Sequence, residues 1–248
     1  MIFVTGDTHG DLMSRLSTRS FFEQKDMNAY DENYVIICGD FGGVWDASNR
    51  EKYQLDWLAE KPFVTLFVAG NHENYDLLNS YPVSEWHGGR VQFIRSNVIH
   101  LLRGEIYEIE GKTFFTFGGA RSHDIDDGIL EVGDPRIKEW SRNRYKMFRI
   151  NHISWWTEEM PSEAEMQNGL NNLDAAGNKV DFIITHCCSS STQALMSHGF
   201  YKPDELTNYL ETVRINTDFK RWFFGHYHDN KAINEKEILL YEQIVRIN

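Results

Sequence analysis

The chain has 248 residues, of which 41% are hydrophobic, and this is enough apolar material for a sizeable core. Its formal net charge of −12 disfavours extended nucleic-acid binding, because such binding needs Lys and Arg to neutralise phosphates. A phosphate-bearing substrate remains open, since bound cations can supply the positive field locally. No apolar run approaches the roughly 20 residues that span a bilayer, so we expect no membrane partner.

The cysteines and the first residues of the chain indicate the cellular compartment of the protein. The three cysteines, Cys38, Cys187 and Cys188, form no disulfide framework. Met1 leads directly into an apolar segment, without a basic region or a cleavage site. We therefore predict a cytoplasmic protein, and the sequence leaves its oligomeric state open.

The first 78 residues alternate apolar, strand-like segments with helix-like segments. Helices are predicted over residues 11–25, with Asp11 as a capping residue, and over residues 49–60, ending before Pro62. Such a βαβ rhythm favours parallel strands with helices on the faces of the sheet.

The rhythm changes after residue 90. Strands are predicted at 91–94, 98–102, 105–109 and 113–117, and Glu110-Gly111-Lys112 supplies a hairpin turn between the last two. This run predicts a second, more antiparallel sheet. Residues 118–151 are polar and glycine-punctuated without clear periodicity, which is typical of a functional loop or lid.

The βα rhythm returns in the last third of the chain. We predict a helix over 161–176, with Ser162 as N-cap and Glu163 and Glu165 in its first turn, and another over 204–215. Segments 231–233 and 238–241 read as a closing hairpin. Because no linker or internal repeat is visible, we predict one domain spanning residues 1–248.

Five short polar motifs follow strand-like segments, and the ends of buried strands converge on one edge of a sheet. We therefore expect the motifs to meet in one pocket. Five of the ten histidines fall within them. The motifs are Gly6-Asp7-Thr8-His9-Gly10, Gly39-Asp40, Gly70-Asn71-His72-Glu73, Thr185-His186 and Gly225-His226-Tyr227-His228.

These residue types suit divalent metals such as Mn²⁺, Fe²⁺ or Zn²⁺, which accept imidazole nitrogen together with carboxylate and amide oxygen. Asp7 and His9 can face one ion, and the two oxygens of Asp40 can bridge two. Two metals can clamp a phosphate and lower the pKa of a bridging water. His72 follows Asn71 directly and can act as a general acid on the leaving oxygen. The remaining candidate ligands are His186, His226 and His228.

Each motif, taken alone, is also explained by an ordinary structural role without metal binding. A Gly-Asp pair is common turn chemistry, and a lone histidine is usually a satisfied core residue. The joint set, in the order Asp-x-His, Gly-Asp, Gly-Asn-His-Asp/Glu, His and Gly-His-x-His, is far more specific. It resembles the calcineurin-like metallophosphoesterase superfamily from Asp7 to His228.

The resemblance implies an α/β fold, a four-layer αββα sandwich of two mixed sheets with a dinuclear metal site at the carboxyl ends of strands. It also implies a role for each matching residue. One metal would be held by Asp7, His9, Asp40 and His228, and the other by Asp40, Asn71, His186 and His226. His72 would be the acid for the leaving group, and Asp40 the shared, catalytically essential bridge.

The motifs do not select a single branch of this superfamily. Gly-Asn-His-Glu is similar to both the PPP-type protein phosphatases and the RNA lariat debranching enzymes. The stretch Gly39-Asp40-Phe41-Gly42-Gly43 lacks the Gly-Asp-x-Val-Asp-Arg-Gly extension of the PPP enzymes, and so lacks their histidine-orienting acid and phosphate-binding arginine. Asp46 or Glu73 are alternatives for orienting His72.

A glycine-rich segment beginning at Gly118 resembles a substrate loop of lariat-debranching-like members. Arg121 or His123 would contact phosphate there, and a surface ion pair is the alternative for Arg121. Later side chains have equally open roles. Arg142, Arg144 and Arg149 can line the pocket or pair with local acids. Asp124, Asp126 and Asp127 favour a solvated turn, and Trp155 and Trp156 favour core packing over base stacking.

Taken together, the motifs predict a metal-dependent phosphoesterase, with a phosphatase as the first hypothesis and manganese among the expected metals. A nuclease or RNA-processing phosphodiesterase is the alternative. A non-catalytic scaffold is the third hypothesis, and it predicts lost ligands, whereas all seven ligands and His72 are present.

Overall fold

The computed structural model describes residues 1–28 and 32–247. Within these ranges the chain forms two large sheets, one small strand pair and seven α-helices. The strands are β1 (Ile2–Thr5), β2 (Tyr34–Ile37), β3 (Val64–Phe67), β4 (Val83–Trp86), β5 (Gly89–Arg95), β6 (Val98–Leu101), β7 (Glu105–Ile109), β8 (Lys112–Phe117), β9 (Gly128–Leu130), β10 (Phe148–Ile150), β11 (Phe182–Thr185), β12 (Arg221–Phe224), β13 (Lys231–Ala232), β14 (Glu237–Leu239) and β15 (Ile244–Ile247). The helices are α1 (Leu12–Arg15), α2 (Asn49–Ala59), α3 (Tyr75–Leu78), α4 (Arg136–Trp140), α5 (Glu163–Ala175), α6 (Ser190–Ser197) and α7 (Glu205–Asn216).

Both large sheets are mixed, as predicted. The seven-stranded sheet has the order β15-β1-β2-β3-β6-β5-β4, with parallel pairing from β1 to β6 and antiparallel edges. The six-stranded sheet has the order β13-β14-β12-β11-β8-β7, and its four central strands are parallel. The parallel strands of each sheet end at a common edge, so residues distant in sequence come together there.

Alternation along the strands produces the layers. In β1, Ile2 and Val4 point into the core between the sheets, whereas Phe3 joins the core beneath α1 and α2. In β11, Ile184 lies in the same inter-sheet core, and Ile183 packs under α5 and α7. Because both faces of these strands are buried, they read as continuous apolar runs. The result is the four-layer αββα sandwich that the resemblance implied.

The strand run between residues 91 and 117 departs from the prediction. It was expected to form one antiparallel sheet, but β5 and β6 belong to the larger sheet and β7 and β8 to the smaller one. Alternation identifies strands but does not state which sheet they join. The edge strands β4 and β15 were not predicted. The turn at residues 110–111, between β7 and β8, was predicted correctly.

The first predicted helix is also wrong in extent. The α-helix α1 ends at Arg15, and a separate 3₁₀ segment covers Phe22–Asp26. In between, the Ser17 hydroxyl accepts the backbone N–H of Ser20 at 3.1 Å, a local bond that competes with helix formation. Asp11 occupies the N-cap position but makes no side-chain capping bond.

The other predicted helices are confirmed to within two residues at each end. Ser162 caps α5 in a capping box with Glu165, and Asp204 caps α7. The predicted closing hairpin is present as the antiparallel pair β13–β14. No helix in the described ranges combines the length and apolarity that crossing a membrane requires.

Residues 124–152, called the insertion below, carry more regular structure than predicted. Strands β9 and β10 pair in parallel, and α4 lies between them in sequence. The insertion is attached to α3 by His152, whose Nδ1 lies 2.9 Å from the carboxylate of Asp76. Trp156, just beyond it, donates its indole N–H to the same carboxylate at 2.8 Å. These contacts hold the insertion beside the turn that carries His72.

Candidate metal centre

The five motifs lie in the turns that follow parallel strands β1, β2, β3, β11 and β12, so both sheets contribute to one site. Four motif residues adopt left-handed backbone conformations: φ is 46° at His9, 43° at Asp40, 70° at His226 and 49° at His228. Residues other than glycine rarely adopt this backbone region, and such backbone strain concentrates at functional sites.

One group of side chains is compact enough to hold an ion. Asp7, His9, Asp40 and His228 each offer a ligand atom, and these atoms all lie within 4.8 Å of one another. The Asp7 Oδ2 atom is 3.2 Å from His228 Nε2, and the two Nε2 atoms of His9 and His228 are 3.0 Å apart. These four residues are the set that the resemblance gave to the first metal.

A second group adjoins the first. His186 Nε2 lies 3.1 Å from Asn71 Oδ1 and 3.3 Å from Asp40 Oδ1. The ring of His226 is 5.0 Å from that of His186, and its backbone N–H donates to Asp7 at 3.0 Å. The other oxygen of Asp40, Oδ2, is 3.8 Å from His9 Nδ1. Asp40 therefore faces both groups, one oxygen toward each.

Two motif glycines leave the space that the carboxylates occupy. A Cβ atom at Gly70 would overlap Asp40 Oδ1, and one at Gly225 would overlap Asp7 Oδ1. Glycine at these positions lets the backbone approach the two carboxylates.

The electrostatics of the cluster are set by burial. Burial raises the pKa of Asp7, but the imidazoles of His186 and His228 and the backbone N–H of His226 outweigh it and hold that pKa below its ordinary value. Burial lowers the pKa of His186, and Asp40 and Asp7 outweigh it, so that pKa is raised. Burial together with the neighbouring His186 lowers the pKa of His226.

The donor set fits divalent cations. The side chains of Asp7 and Asp40 are almost fully buried, and within the described ranges neither carboxylate forms an ion pair with Lys or Arg. Buried carboxylates without a compensating cation are costly. Carboxylate, amide oxygen and imidazole nitrogen together match the preferences of Mn, Fe and Zn. A divalent cation at this cluster would add positive charge beside the two buried carboxylates.

His72 lies beside the cluster. Its ring is 5.4 Å from that of His9, and its backbone N–H donates to Asp40 Oδ1 at 2.7 Å. Burial lowers the pKa of His72, Asp40 opposes this effect, and the positive charge of Arg149 adds to it. The Arg149 guanidinium therefore lies within electrostatic reach of the ring.

Neither acid suggested for orienting His72 is hydrogen-bonded to it. Glu73 accepts the backbone N–H groups of Phe41 at 2.7 Å and Gly42 at 3.3 Å, which braces the turn after Asp40. Burial and the nearby Asp40 carboxylate raise the pKa of Glu73 to about 8. Asp46 accepts the backbone N–H of Ser48 at 2.9 Å.

Residues outside the motifs complete the surroundings. Asp124 pairs with Arg149 through two hydrogen bonds, one of them 3.0 Å long, so this arginine pairs with a local acid while it also acts on His72. The Ser122 hydroxyl lies 3.4 Å from Asn71 Nδ2 and donates to the buried Glu159 at 2.6 Å. The Asn71–Ser122–Glu159 chain orients the amide so that its oxygen faces His186. Ser122 lies in the glycine-rich segment that begins at Gly118, but no motif signals Glu159, which tertiary packing alone brings here.

Of the two residues predicted to contact substrate, only His123 lies at the cluster. The ring of His123 lies 5.8 Å from that of His226, at the edge of the cluster. Arg121 is exposed, and its guanidinium makes no contact with the cluster and no ion pair in the described ranges. Trp156 is buried in the core, as predicted, with its ring 5.6 Å from that of Trp45.

Comparison with known proteins agrees with this geometry. The family model described as calcineurin-like phosphoesterase matches residues 1–230. The chain belongs to the calcineurin-like phosphoesterase family. Membership confirms the resemblance carried by the motifs.

Relatives within this calcineurin-like family are distant. Lariat debranching enzyme A of Xenopus laevis is 27% identical over 164 residues, covering 60% of this chain and 29% of that protein. The lariat debranching enzyme of Danio rerio is 26% identical over 180 residues, covering 66% of this chain and 30% of that protein. The chain thus matches less than a third of the length of either curated relative.

One solved structure has a weak similarity. A phosphopantetheinyl hydrolase from Mycobacterium tuberculosis aligns over 97% of this chain and 87% of its own, with 14% identity and a TM-score of 0.39.

Proposed function

We propose that the chain is a two-metal phosphoesterase that hydrolyses phosphate monoesters. The observation that carries the proposal is the position of Asp40, whose Oδ1 faces His186 and whose Oδ2 faces His9. One metal would be held by Asp7, His9, Asp40 and His228, and the other by Asp40, Asn71, His186 and His226. When bound, two such cations would polarise the phosphate and lower the pKa of a water nucleophile.

The chain's own residues supply the rest of the reaction. His72, half-buried beside the cluster, holds a proton on its imidazole and donates it to the leaving oxygen. Ser122 and Glu159 fix the amide of Asn71, and His123 approaches the phosphate from the edge of the cluster.

A diesterase acting on RNA is the second candidate. The two debranching enzymes among the relatives favour it. The net charge of −12 favours the monoesterase, because a polynucleotide needs many cationic contacts along its backbone. Metal identity, a cytoplasmic location and a single domain over residues 1–248 stay predictions.

A substrate panel separates the two candidates. Protein reconstituted with Mn²⁺, and with its metal content measured, is assayed on an aryl phosphate monoester and on the matching diester. We expect faster turnover of the monoester. Turnover of the diester alone would make the RNA-processing candidate the better one.

Substitution of the acid tests the proton donor. His72→Ala is expected to lower kcat by about 10²–10⁴-fold, the range of general acid catalysis, while both metals stay bound. Activity and metal content are measured together. His87→Ala, at an exposed histidine in the turn between β4 and β5, is the matched control. Loss of metal in His72→Ala would instead make His72 a ligand.

A further inference from the structure

A cavity of about 380 Å³ adjoins the candidate metal centre. His9 and His72 line the end nearest the cluster, and Trp45, Arg50 and Gln54 line its other walls. We call this space the Trp45 cavity. Its volume is in the range of cavities that bind small molecules. None of the three distal residues belongs to a motif or has a role in the proposed reaction.

The position of the Trp45 cavity indicates that it receives the leaving group of the substrate, and this inference rests on the proposed function. The acid that protonates the leaving oxygen must lie on the leaving-group side of the phosphate. His72 lines the cavity, whereas His186, His226 and His228 do not. The organic part of the substrate therefore extends past His72 into the Trp45 cavity.

The indole of Trp45 is a fixed aromatic wall. Its ring packs edge-on against buried Trp156, with centroids 5.6 Å apart and planes at 80°. Its backbone N–H donates to Glu51 at 2.6 Å, and its carbonyl accepts from Asn74 Nδ2 at 2.7 Å. The side chain is only partly buried, so it remains available to a ligand. A packed, partly exposed indole is a stacking surface for a planar ring.

Polar groups around the ring are available for recognition. Gln54 donates its amide N–H to the Gly10 carbonyl at 3.3 Å, and its amide oxygen has no partner in the described ranges. The exposed guanidinium of Arg50 likewise has no carboxylate partner in those ranges. Asp46, exposed on the rim of the cavity, accepts the backbone N–H of Ser48 at 2.9 Å. The cavity thus offers an amide oxygen, a carboxylate and a fork of donors around an aromatic face.

The charges of the lining residues limit the ligand. Asp46 and Glu51 are two carboxylates on the wall, and Arg50 is the one Lys or Arg that lines it. A leaving group with further phosphates would meet a net negative wall. A neutral planar ring with several hydrogen-bonding groups would not, and a nucleoside has this chemistry. A simple phenol lacks the hydrogen-bonding groups that Gln54, Asp46 and Arg50 could engage.

We propose that the Trp45 cavity binds a nucleoside leaving group, with its base stacked on Trp45, so that the preferred substrates are nucleoside monophosphates. Stacking of a base on an aromatic side chain commonly contributes about ten- to a hundredfold in affinity. The preference would then reside in Trp45, outside the metal ligands.

Binding can be tested without metal or turnover. Metal-free protein is mixed with adenosine, and saturation-transfer NMR records contact with the base protons. We expect a signal in the wild type and in Trp45→Phe, and at least a tenfold weaker affinity in Trp45→Ala. Trp57→Ala, at a partly buried indole of helix α2 that does not line the cavity, is the matched control and should bind as the wild type does. Thermal unfolding of each variant establishes that it is folded.

Measurement of turnover is the second test of the proposal. The kcat/KM of metal-loaded protein is compared for adenosine monophosphate and ribose 5-phosphate, which differ by the base. We expect about a tenfold preference for the nucleotide in the wild type, lost mainly through KM in Trp45→Ala.

The outcomes separate the two proposals. Adenosine that fails to bind, or binds equally to folded Trp45→Ala, overturns the assignment of the cavity even if aryl phosphates are hydrolysed. Trp45-dependent binding without hydrolysis of any ester supports the cavity and overturns the proposed function. Better turnover of oligonucleotides than of the monophosphate also contradicts the proposal.

Discussion

Gly225 directly precedes His226 and touches the carboxylate of Asp7 with its backbone. A Cβ at this position would overlap Asp7 Oδ1. Asp7 also accepts the backbone N–H of His226 through both oxygens, at 3.0 and 3.1 Å. The glycine therefore determines how closely β12, from one sheet, approaches a carboxylate held by the other.

Substitution of this glycine should weaken metal binding. Gly225→Ala displaces Asp7, and we expect a loss of about 10–100-fold in metal affinity, the range seen when the support of a ligand is removed. Titration with Mn²⁺ measures it. Gly89→Ala is the control, because its Cβ would meet the Tyr107 ring at 2.7 Å, on an antiparallel edge of the larger sheet that carries none of the motifs. Equal affinities in the two variants would refute the role of Gly225.

Residues differ in how far the sequence reveals them. Asp7, His9 and Asp40 were predictable because each stands in a short motif directly after an apolar strand. Arg149 and Glu159 carry no such signal, since only the packing of the insertion and its flank against the β3 turn places them near the site. Contacts that arise from tertiary packing leave no local pattern.

At the scale of elements, the attachment of the insertion has a definite pH dependence. The hydrogen bond from Asp76 raises the pKa of His152 above its ordinary value. A raised pKa in the folded state means that the contact contributes fully below about pH 6.5, the unfolded value, and is lost as pH rises through the folded value. The insertion should therefore be held more firmly at mildly acidic pH.

NMR titration of the His152 ring checks this expectation. The pKa should lie above 6.5 in the wild type and fall toward it in Asp76→Asn. Hydrogen exchange at the β9–β10 pair should quicken above the measured pKa in the wild type. An unchanged His152 pKa in Asp76→Asn would contradict the contact.

Elements with strong local signals were predicted well. Helix α5 begins at the Ser162 capping box that its sequence shows, and α2 ends at Ala59, three residues before Pro62. The partition of β5, β6, β7 and β8 between two sheets was not predictable, because a strand-like apolar pattern does not state which sheet a strand joins. Pairing partners are chosen by non-local packing, which a period-two pattern does not contain.

At the scale of the whole molecule, the site joins the two sheets. Asp7, Asp40 and Asn71 follow strands of the seven-stranded sheet, and His186 and His226 follow strands of the six-stranded one. Cations held by these ligands would contact residues of both sheets. Binding of cations should therefore stabilise the complete fold rather than one loop.

Thermal unfolding tests this coupling. Mn²⁺ at a hundredfold excess over Kd contributes about 2.7 kcal/mol for each site if it binds only the folded chain, and the Tm should rise accordingly. Chelation should reverse the rise. The shift should vanish in Asp40→Ala, and a shift of equal size in that variant would show that the cations bind elsewhere.

The central claim is that two metal ions share Asp40, and metal counting tests it most directly. Protein saturated with Mn²⁺ and freed of excess is analysed for metal per chain, alongside Asp40→Ala and the distant control His87→Ala. The account predicts about two ions per chain in the wild type and the control, and loss of both in Asp40→Ala. One ion per chain in the wild type, or an Asp40→Ala protein that keeps its full complement, would contradict it.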